Sequence, residues 1–341
     1  MKLVRTQDAV GMELCHDITQ IIKGVTKDAV FRKGHIVREE DIPVLLSVGK
    51  EHLYVWELGE DMLHENDAAA ILRDICMGER MHATEPKEGK IELIADADGL
   101  FLADRERLNA VNALGRMMIA TRFAGFPVKK GDKLCGTRII PLAIEREAME
   151  RAKKTAGGEP LLKLLPMHAK KYGVVTTGSE IKKRLITDTF TPVIEEKLNE
   201  YGGTMRFHEC PGDDADAIAA AIRKMHENGA ELIFCTGGMS VDPDDRTPMA
   251  IRKSGAAIVS YGAPVLPGAM FLVAYLEDGT PVCGLPGCVM YARRTIFDLV
   301  LPYLLADVRV TADMLARLGN GELCLNCREY HYPNCGFGKG I

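Results

Sequence analysis

The sequence lacks the long apolar segments on which membrane proteins depend. Across 341 residues, no charge-free apolar run reaches the roughly 18 residues that a membrane-spanning helix needs. It also lacks a basic excess, since 43 Lys and Arg stand against 48 Asp and Glu and leave a net charge of −5. We therefore expect neither a membrane nor a nucleic acid as a partner. The opening Met1-Lys2-Leu3-Val4-Arg5 is unlike a signal peptide, which predicts a cytoplasmic location.

Short repeats and low-complexity tracts are also missing, which excludes a solenoid and a disordered chain. The hydrophobic content of 47% and the charged content of 27% are typical of a soluble globular protein. At roughly 150 residues per domain, the length predicts two or three domains. We divide the chain into an N-terminal α+β module at 1–60, a mixed α/β region at 61–165, an α/β domain at 166–308 and a cysteine-rich tail at 309–341.

The part of the chain that follows residue 171 has the most regular pattern. Apolar segments at 172–177, 204–210 and 231–235 predict strands, and amphipathic helices separate them. Asp188 or Thr189 can cap the first helix, and Asp213 or Asp214 the second. This alternation predicts an α/β fold, a mostly parallel sheet with helices on both faces. The segments 271–276 and 281–284 predict a hairpin, and 289–305 a last helix.

The first half of the chain is less regular and predicts a smaller α+β region. Segments 39–46 and 67–77 have helical character, and the second half of 101–121 also favours a helix. Lys-Gly pairs such as Lys23-Gly24 and Lys33-Gly34 interrupt strand-length apolar runs.

Three glycine-bearing loops follow apolar strands in the α/β domain. They are Thr176-Thr177-Gly178-Ser179-Glu180, Thr236-Gly237-Gly238-Met239-Ser240 and Leu285-Pro286-Gly287-Cys288. In an open parallel sheet, ligands bind beyond the carboxyl ends of the strands, where backbone amides and helix N-termini attract anions. One such loop is weak evidence, because strand-to-helix turns commonly need glycine. Three loops in one domain, with acidic residues beside them, indicate a ligand site.

The acidic run Asp242-Pro243-Asp244-Asp245 directly follows the second of these loops. Its carboxylates can either cap the next helix or hold Mg²⁺, which prefers carboxylate oxygens beside substrate phosphates. Its place next to an anion-binding loop favours magnesium, with Asp242 and Asp245 as the ligands. Glu180 and the pair Asp213-Asp214 are further candidates, although such residues are more often caps or solvated surface.

Several of these motifs occur together in a known family. Thr177-Gly178-Ser179-Glu180, Gly212-Asp213-Asp214, Thr236-Gly237-Gly238-Met239-Ser240-Val241 with Asp245, Pro267-Gly268 and Leu285-Pro286-Gly287 follow one another in order. Over about residues 170–306 they resemble the molybdopterin-binding fold of molybdenum-cofactor biosynthesis proteins. Residues 31–35 and 49–55 more loosely resemble the N-terminal region of molybdopterin molybdotransferases.

The resemblance implies a ligand and a reaction. It implies that molybdopterin, or its adenylylated form, lies across the three loops, and that hydrolysis of the adenylylated pterin is coupled to transfer of molybdate with the help of Mg²⁺. Asp245, Glu180 and Asp214 align with acidic positions of the family's active-site cleft and are the expected catalytic residues. The expected cofactor-binding residues are Thr177, Gly178, Ser179, Asp188, Thr236, Gly237, Gly238, Ser240, Pro286, Gly287 and Cys288.

Departures from the family keep other functions open. The positions around Pro267-Gly268 are Val265, Leu266 and Ala269, where the family's insertion enzymes carry basic residues. A site with less positive charge should hold oxyanions less well. A non-catalytic molybdopterin carrier that delivers cofactor to an apo-molybdoenzyme is therefore an alternative, and a different nucleotide ligand, as in the related competence-damage proteins, is another. The resemblance also implies a homodimer.

Cysteines suggest two further possibilities. Cys288 stands before the predicted last helix, where a helix N-terminus would lower the pKa of its thiol, or it is simply a small buried residue. The tail pattern Cys324-x2-Cys327-x3-His331-x3-Cys335 can form a tetrahedral zinc site, and an iron–sulfur cluster is an alternative. A flexible tail with incidental thiols explains the same residues.

Overall fold

The structure, a computed structural model, describes residues 2–22, 26–55, 61–240, 245–321, 323–325, 327–329 and 331–339. The chain divides into two compact units. The first comprises residues 1–97, 102–124 and 129–164, and the second comprises residues 98–101, 125–128 and 165–341. The finer four-part division expected from the sequence stays a prediction. Among the described helices, none has the length and apolar character needed to cross a membrane.

The first unit is an α+β structure, as the sequence predicts. Its main sheet is antiparallel with the order β6 (Met81–Ala83), β7 (Lys90–Ala95), β11 (Lys133–Ile139) and β9 (Met117–Thr121). Helix α2 (Glu65–Cys76) lies against β7 and β11. The elements up to residue 165 are β1 (Lys2–Arg5), β2 (Ile18–Ile22), β3 (Thr26–Phe31), α1 (Ile42–Ser47), β4 (His52–Val55), β5 (Met62–His64), α2 (Glu65–Cys76), β6 (Met81–Ala83), β7 (Lys90–Ala95), β8 (Gly99–Ala103), α3 (Arg105–Asn112), β9 (Met117–Thr121), β10 (Phe126–Val128), β11 (Lys133–Ile139), β12 (Ala143–Glu145), α4 (Arg146–Ala156) and β13 (Leu162–Leu165).

The prediction of a helix in the second half of residues 101–121 is wrong. The helix α3 ends at Asn112, and strand β9 follows at Met117–Thr121. Gly115 and Arg116 both have a positive φ, of 71° and 63°, which breaks the helical path. In β9 the buried Met117 and Ile119 alternate with exposed residues, so the period of this segment is two rather than 3.6.

The second unit contains the regular α/β pattern. Its strands and helices alternate as predicted from residue 171 to residue 236, and its described elements are β14 (Lys171–Thr176), α5 (Ser179–Lys182), α6 (Phe190–Asn199), β15 (Thr204–Glu209), α7 (Ala215–Glu227), β16 (Leu232–Thr236), α8 (Thr247–Lys253), β17 (Ala257–Tyr261), β18 (Leu272–Tyr275), β19 (Pro281–Leu285), α9 (Ile296–Leu305) and α10 (Ala312–Ala316). Short 3-10 turns lie at Gly287–Met290 and Arg317–Gly319.

One six-stranded sheet organises this unit, and it confirms the predicted fold class. The strand order is β15-β14-β16-β19-β18-β17. The first four strands are parallel to one another, and β18 and β17 add antiparallel partners at one side. Strand β17 extends the predicted hairpin by one strand.

Helices cover both faces of this sheet. Phe190 and Ile194 of α6 and Phe297 of α9 are buried in a core cluster with Val174 and Phe234. Ile222 of α7 and Ile251 of α8 are buried in another cluster with Val175, Ile233 and Cys235. Because consecutive strand residues point to opposite faces, these two clusters lie on opposite sides of the sheet.

The last helix begins later than the sequence predicts. Residues 287–290 form only a 3-10 turn, and α9 starts at Ile296. Thr295 is extended, with φ −142° and ψ −179°, and its hydroxyl accepts a hydrogen bond from the Phe297 amide at 3.2 Å. Asp298 completes a capping box by accepting from the Thr295 amide at 2.8 Å. This cap fixes the start of the helix at residue 296.

Candidate functional site

The three predicted loops leave the sheet side by side. Thr176 is in register with Thr236, and Thr236 is in register with Leu285, so the three strands end level with one another. Since β14, β16 and β19 are adjacent and parallel, the loops after residues 176, 236 and 285 emerge at the same edge. The structure therefore brings together the loop residues that the sequence named as one site.

The first two loops run to opposite faces of the sheet. The chain leaves β14 towards α6 on one face, and it leaves β16 towards α8 on the other. Adjacent parallel strands whose connections diverge in this way form a crevice at their carboxyl ends, the usual ligand position in open α/β sheets. The site therefore has the geometry of a ligand-binding crevice between β14 and β16.

Thr177 and Thr236 hold the two sides of this crevice together, and Gly237 lies against Thr177. The Thr177 amide and the Thr177 Oγ1 hydroxyl both donate to the Thr236 carbonyl, each at 2.9 Å. Gly237 has φ +80°, and a Cβ there would lie 2.5 Å from Thr177 Oγ1. Only glycine fits this position, because a side chain meets both a steric clash and a strained backbone.

Hydrogen bonds from α8 and from Asp245 hold the second loop in place. Thr247 Oγ1 donates to the Gly237 carbonyl at 2.8 Å, and Asp245 Oδ2 accepts from the Ser240 amide at 2.8 Å. Among the described residues, the amides of Gly237 and Gly238 donate to no protein acceptor. Asp242, the other predicted magnesium ligand, lies outside the described residues. The loop thus presents backbone amides with one carboxylate, that of Asp245, close by.

Most of the other predicted acidic residues have a structural partner. Asp213 Oδ2 accepts from the Ser179 amide at 2.7 Å, which ties the first loop to the segment after β15. Asp214 caps α7, since its Oδ1 accepts from the Ala217 amide at 2.8 Å. Glu180 is exposed, and its carboxylate lies beside Gly178. Asp214 therefore acts as a helix cap in this structure, whereas Glu180 remains at the open edge of the site.

Asp188 is the most heavily hydrogen-bonded of the predicted cofactor-binding residues. It accepts from the Phe190 and Thr191 amides, from the Thr191 hydroxyl at 2.6 Å and from the Thr176 hydroxyl at 3.0 Å. Burial by itself would raise the pKa of this carboxyl, but the hydrogen bonds from Thr191 and its other donors outweigh it and lower the pKa. Asp188 thus stays ionised and caps α6.

Sequence reasoning missed His208, which joins this network from β15. Its Nε2 lies 2.9 Å from Thr176 Oγ1 and 3.4 Å from Asp188 Oδ2, and Cys210 Sγ lies 3.7 Å from the same nitrogen. Because the thiol and the carboxylate approach one nitrogen, the three residues do not form a nucleophile–base–acid relay, which needs both ring nitrogens. The signal that could have found His208 is its even spacing from Thr204 near the end of a predicted strand.

The third loop bears on the two possibilities that the sequence leaves open for Cys288. This residue lies in the 3-10 turn at Gly287–Met290 and not at a helix N-terminus. Burial raises the pKa of its thiol, against the small opposing effect of a backbone hydrogen bond. Of these two possibilities, the raised pKa favours the partly buried thiol, because desolvation penalises the thiolate.

One buried hydroxyl in the site has no partner. Thr236 is 1% exposed, and its Oγ1 makes no hydrogen bond among the described residues. A buried polar atom without a partner costs about 1–3 kcal/mol. Such groups are typical of sites where a water or a ligand supplies the missing bond.

The cysteine-rich tail does not form the predicted metal site in this structure. In the described part of the chain, no three His, Cys, Asp or Glu side chains are grouped so as to hold a metal ion. Cys324, Cys327, His331 and Cys335 instead line one cavity of about 670 Å³. None of the ten cysteines forms a disulfide.

Basic residues line the same cavity. Arg293 and Arg294, from the loop before α9, and Arg328, from the tail, line it together with Pro267. The sequence around residues 265–269 has no basic residue, from which we expect weaker binding of oxyanions. Guanidinium groups from elsewhere in the chain line this surface, and the expected weaker binding stays a prediction.

Comparison with known proteins supports the family assignment for part of the chain. Residues 173–306 match a family described as a probable molybdopterin binding domain, and residues 3–57 match a domain of unknown function. The first match confirms the resemblance inferred from the loop motifs. It covers less than half of the chain.

Individual relatives match shorter or weaker stretches. A CinA-like protein of Desulfosudis oleivorans is 35% identical over 81 residues, 24% of this chain and 19% of that protein. A molybdopterin molybdenumtransferase of Synechococcus elongatus is 25% identical over 197 residues, 54% of this chain and 46% of that protein. The crystal structure of the molybdopterin biosynthesis enzyme MoaB of Thermus thermophilus matches with 23% identity and a TM-score of 0.34, over 40% of this chain and 91% of that chain. The chain thus spans less than half the length of the two curated relatives, the CinA-like protein and the molybdopterin molybdenumtransferase.

Proposed function

We propose that the domain at residues 173–306, which matches the probable molybdopterin binding family, binds molybdopterin or its adenylylated form in the crevice between β14 and β16. One observation carries the proposal. Three parallel strands end level with one another, and the glycine-bearing loops that follow them start side by side, next to the Thr236 hydroxyl, which has no partner among the described residues. This arrangement offers backbone amides to an anionic group, and it leaves a buried polar atom for which a ligand can provide a partner.

In this proposal each loop makes a different contribution to ligand binding. The amides of Gly237 and Gly238 hold a terminal phosphate, since they donate to no protein acceptor among the described residues. Thr177 keeps the two sides of the crevice at a fixed separation through its hydrogen bonds to the Thr236 carbonyl. We assign Ser179, Ser240, Pro286 and Gly287 to the border of the crevice, because they lie in the three loops that follow β14, β16 and β19. Asp188 caps α6 beside the first loop.

Asp245 fits the role of a magnesium ligand. Magnesium is usually bound by one or two carboxylates together with substrate phosphates and water, so it does not need a cage of protein ligands. Asp245 is held by the Ser240 amide at the mouth of the second loop, beside the amides proposed to hold the phosphate. Bound there, the ion would neutralise charge on a departing phosphate. Molybdate would be a substrate of this reaction.

The reaction that we propose is molybdate insertion into the pterin, as in a molybdopterin molybdotransferase. Asp245 and Glu180 are the predicted catalytic carboxylates that lie at the open edge of the site in the described part of the chain. The second candidate is a non-catalytic carrier that delivers cofactor to an apo-molybdoenzyme. The observation that favours it is the commitment of Asp214 and Asp188 to helix caps, which leaves fewer carboxylates for catalysis.

Anaerobic purification of the full chain followed by analysis of bound pterin and metal tests the binding. We expect molybdopterin to copurify or to bind when supplied, and we expect Gly237→Ala to abolish binding. Absence of pterin together with absence of binding would contradict the proposal. Release of nucleotide from adenylylated molybdopterin in the presence of Mg²⁺ and molybdate then separates enzyme from carrier. An enzyme loses this turnover in Asp245→Asn, whereas a carrier shows tight binding without release.

Two properties of the assembled protein also remain proposals. The resemblance implies a homodimer, and the carrier function requires an apo-molybdoenzyme as a partner. Light scattering of the purified chain would give the mass of the particle, for comparison with the 37.4 kDa of one chain.

A further inference from the structure

A hollow of about 510 Å³ lies on the antiparallel sheet of the first unit and shares no residue with the three loops. Strands β7, β9 and β11 line it, and we call it the sheet hollow. In β7 the buried Ile91 and Leu93 alternate with Lys90 and Glu92, which line the hollow. Helix α2 lies against β7 and β11, so it covers the buried face of the sheet, and the sheet hollow lies on the other face.

Small residues form the floor of the sheet hollow. Gly136 of β11 lies opposite Glu92 on one side and opposite Ala120 on the other. A Cβ at Gly136 would meet no atom within 4 Å, so the space above this strand is open. Glycine inside a strand often marks a place where a ligand or another backbone approaches closely. The floor therefore has room for a bound chain.

Two cations face each other at one end of the sheet hollow. Lys90 and Arg138 are directly opposite in the register of β7 and β11, and both are exposed. Like charges in opposite positions repel each other and destabilise a sheet. Among the described residues, Arg138 has no hydrogen-bonded or ion-paired carboxylate, and it attracts the Glu65 carboxylate only at longer range. An anion bound at this end would relieve the repulsion.

Two further cations lie at the other end. A β-bulge between Lys133 and Cys135 interrupts the alternation of β11, so Lys133 is exposed while Leu134 and Cys135 are both buried. Arg122 is level with Leu134, since its amide donates to the Leu134 carbonyl at 2.9 Å. The Arg122 guanidinium contacts Asp132 at 2.7 Å, but both side chains are partly exposed, and such pairs contribute little stability. Arg122 can therefore accept another carboxylate at little cost.

Glu92 is the one carboxylate among the described residues that line the sheet hollow. It contacts Lys133 Nζ at 2.7 Å and also pairs with Lys90. Hydrogen bonds from Lys133 and Lys90 lower the pKa of its carboxyl, so Glu92 is ionised at neutral pH. One carboxylate thus lies among four cations, and the lining keeps an excess of positive charge.

The separation of the two ends determines what kind of anion can contact both. Arg138 and Leu134 are four residues apart on β11, which places the two ends roughly 13 Å from each other. A single carboxylate or phosphate cannot contact both ends. In an extended chain, side chains four positions apart lie on the same face at this same spacing. Two acidic side chains of such a chain would reach both ends.

The edge of this sheet is protected against the addition of a strand. Strand β9 is the outer strand, and the Asn112 side chain accepts from the Ile119 amide at 2.8 Å and donates to the Ile119 carbonyl at 2.9 Å. The backbone groups with which an added strand would pair are therefore occupied at this point. A segment that binds here is thus directed to the face of the sheet.

We propose that the sheet hollow binds an extended acidic segment of a partner protein, with one carboxylate between Lys90 and Arg138 and a second, four positions along, at Arg122 and Lys133. Guanidinium groups bind carboxylates in a paired, planar geometry, which suits Arg138 and Arg122. The inference goes beyond the pterin crevice, because it rests on the first unit and uses no residue of the three loops. A chain that fails to bind pterin can still bind such a segment, so the two proposals can fail separately.

Fluorescence anisotropy with labelled peptides tests the ligand class on the full chain at low salt. The first peptide carries two glutamates four positions apart in a background of serine and threonine, the second carries the same glutamates next to each other, and the third has glutamine in their place. We expect the first to bind at least tenfold more tightly than either of the others, because only its carboxylates reach both ends. Equal binding of the first two would overturn the two-ended arrangement, and no measurable binding of the first would overturn the whole proposal.

Oligothymidylate and inorganic polyphosphate test whether the surface accepts any polyanion. Both place negative charge along their whole length and hence over Glu92, which repels it, whereas the peptide leaves neutral residues there. We therefore expect both to bind more weakly than the first peptide. If either binds as tightly, the assignment to a protein segment is wrong.

A charge-matched pair of variants tests the arginine. Arg138→Gln is expected to weaken binding of the first peptide about tenfold, which corresponds to about 1.4 kcal/mol. Arg151→Gln is the control, since Arg151 is an exposed arginine of α4 in the same unit and lines none of the described cavities. Equal affinity in these two variants would overturn the assignment of a carboxylate to Arg138.

Two further substitutions should act in opposite directions. Gly136→Val fills the floor, and because its Cβ has room and valine suits a strand, thermal unfolding should show that the fold is kept. Glu92→Gln removes the carboxylate that competes for Lys90 and Lys133. We expect Gly136→Val to weaken binding of the first peptide at least tenfold and Glu92→Gln to strengthen it several-fold. Unchanged binding in Gly136→Val, or weaker binding in Glu92→Gln, would contradict a ligand in the sheet hollow.

Discussion

The Thr177 hydroxyl donates to the Thr236 carbonyl at 2.9 Å and joins the two strands at which the connections of the sheet diverge. The Thr177 amide donates to the same carbonyl, so one acceptor holds both the backbone and the side chain of the first loop. The first loop is therefore joined to the end of β16, at the floor of the candidate crevice, through one acceptor.

Removal of this hydroxyl should loosen the crevice. Thr177→Val keeps the shape of the side chain but loses one buried hydrogen bond, which is worth about 1 kcal/mol of stability. We expect the affinity for molybdopterin, the proposed ligand of the crevice, to fall about tenfold, as measured by calorimetry. The exposed Thr204→Val on β15 is the control and should change neither quantity. Affinity retained in Thr177→Val would show that the hydrogen bond does not set the geometry of the site.

Gly237 should tolerate no side chain. Its φ of +80° disfavours any L-residue, and a Cβ would lie 2.5 Å from Thr177 Oγ1. Gly279, in the hairpin turn, has φ +92° and no atom within 4 Å of a Cβ, so Gly279→Ala reports the backbone strain alone.

We expect Gly279→Ala to cost about 1 kcal/mol of unfolding free energy and Gly237→Ala to cost about 1–3 kcal/mol more through overpacking. Urea denaturation measures both changes. Equal costs in the two variants would mean that the loop around residue 237 moves aside easily.

Asp298 should be essential to the stability of the second unit. Its carboxylate is 3% exposed and contacts Lys197 Nζ at 2.6 Å, Arg294 at 2.9 Å and the Thr295 amide at 2.8 Å. Asp298→Asn leaves the buried Lys197 charge uncompensated, which costs about 3–5 kcal/mol.

Thermal unfolding is the measurement, with Asp313→Asn as the control. Asp313 pairs with Arg317 at 2.8 Å, but both side chains are exposed, so its loss should cost at most about 1 kcal/mol. Similar unfolding temperatures for the two variants would contradict the role given to the buried ion pair.

Glu65 should make the stability of the first unit depend on pH. Burial raises the pKa of its carboxyl from 4.5 to about 7, with Arg138 opposing and Glu88 adding to the shift. Between these two values the folded chain holds a proton that the unfolded chain has released. Stability should therefore decrease as the pH rises through this window.

Glu65→Gln removes the titrating group and tests this effect. The unfolding temperature of the variant, relative to the original chain, should be higher at pH 8 than at pH 5. Glu147→Gln is the matched control, since it makes the same change at an exposed partner of Arg151 on α4. A pH-independent difference for Glu65→Gln would show that the carboxyl titrates normally.

Much of the second unit could be predicted from local sequence signals. The caps at Asp188 and Asp214, the apolar strands and the glycine loops are each encoded within a few residues. The errors occurred where local signals compete. The apolar segment 289–305 has a helical pattern throughout, but the capping box at Thr295 delays the helix, and Gly115 and Arg116 turn the chain before β9.

The candidate site was predictable in its residues but not in all of its chemistry. The loops were identified because glycine and hydroxyl residues follow strands. Asp188 and Asp214 cap helices, as the sequence predicts. His208 was missed, because hydrogen-bond partners from other elements cannot be inferred from spacing.

The sequence by itself determined the alternation of strands and helices and the identity of the loop motifs, because caps, turns and hydrophobic periods act between near neighbours in the chain. Only the tertiary structure decided that Arg293 and Arg294 line the same cavity as Pro267, that the tail thiols line it as well, and that burial raises the pKa of Cys288. Charge, cavities and desolvation depend on which distant segments meet, and strand order and core packing decide that.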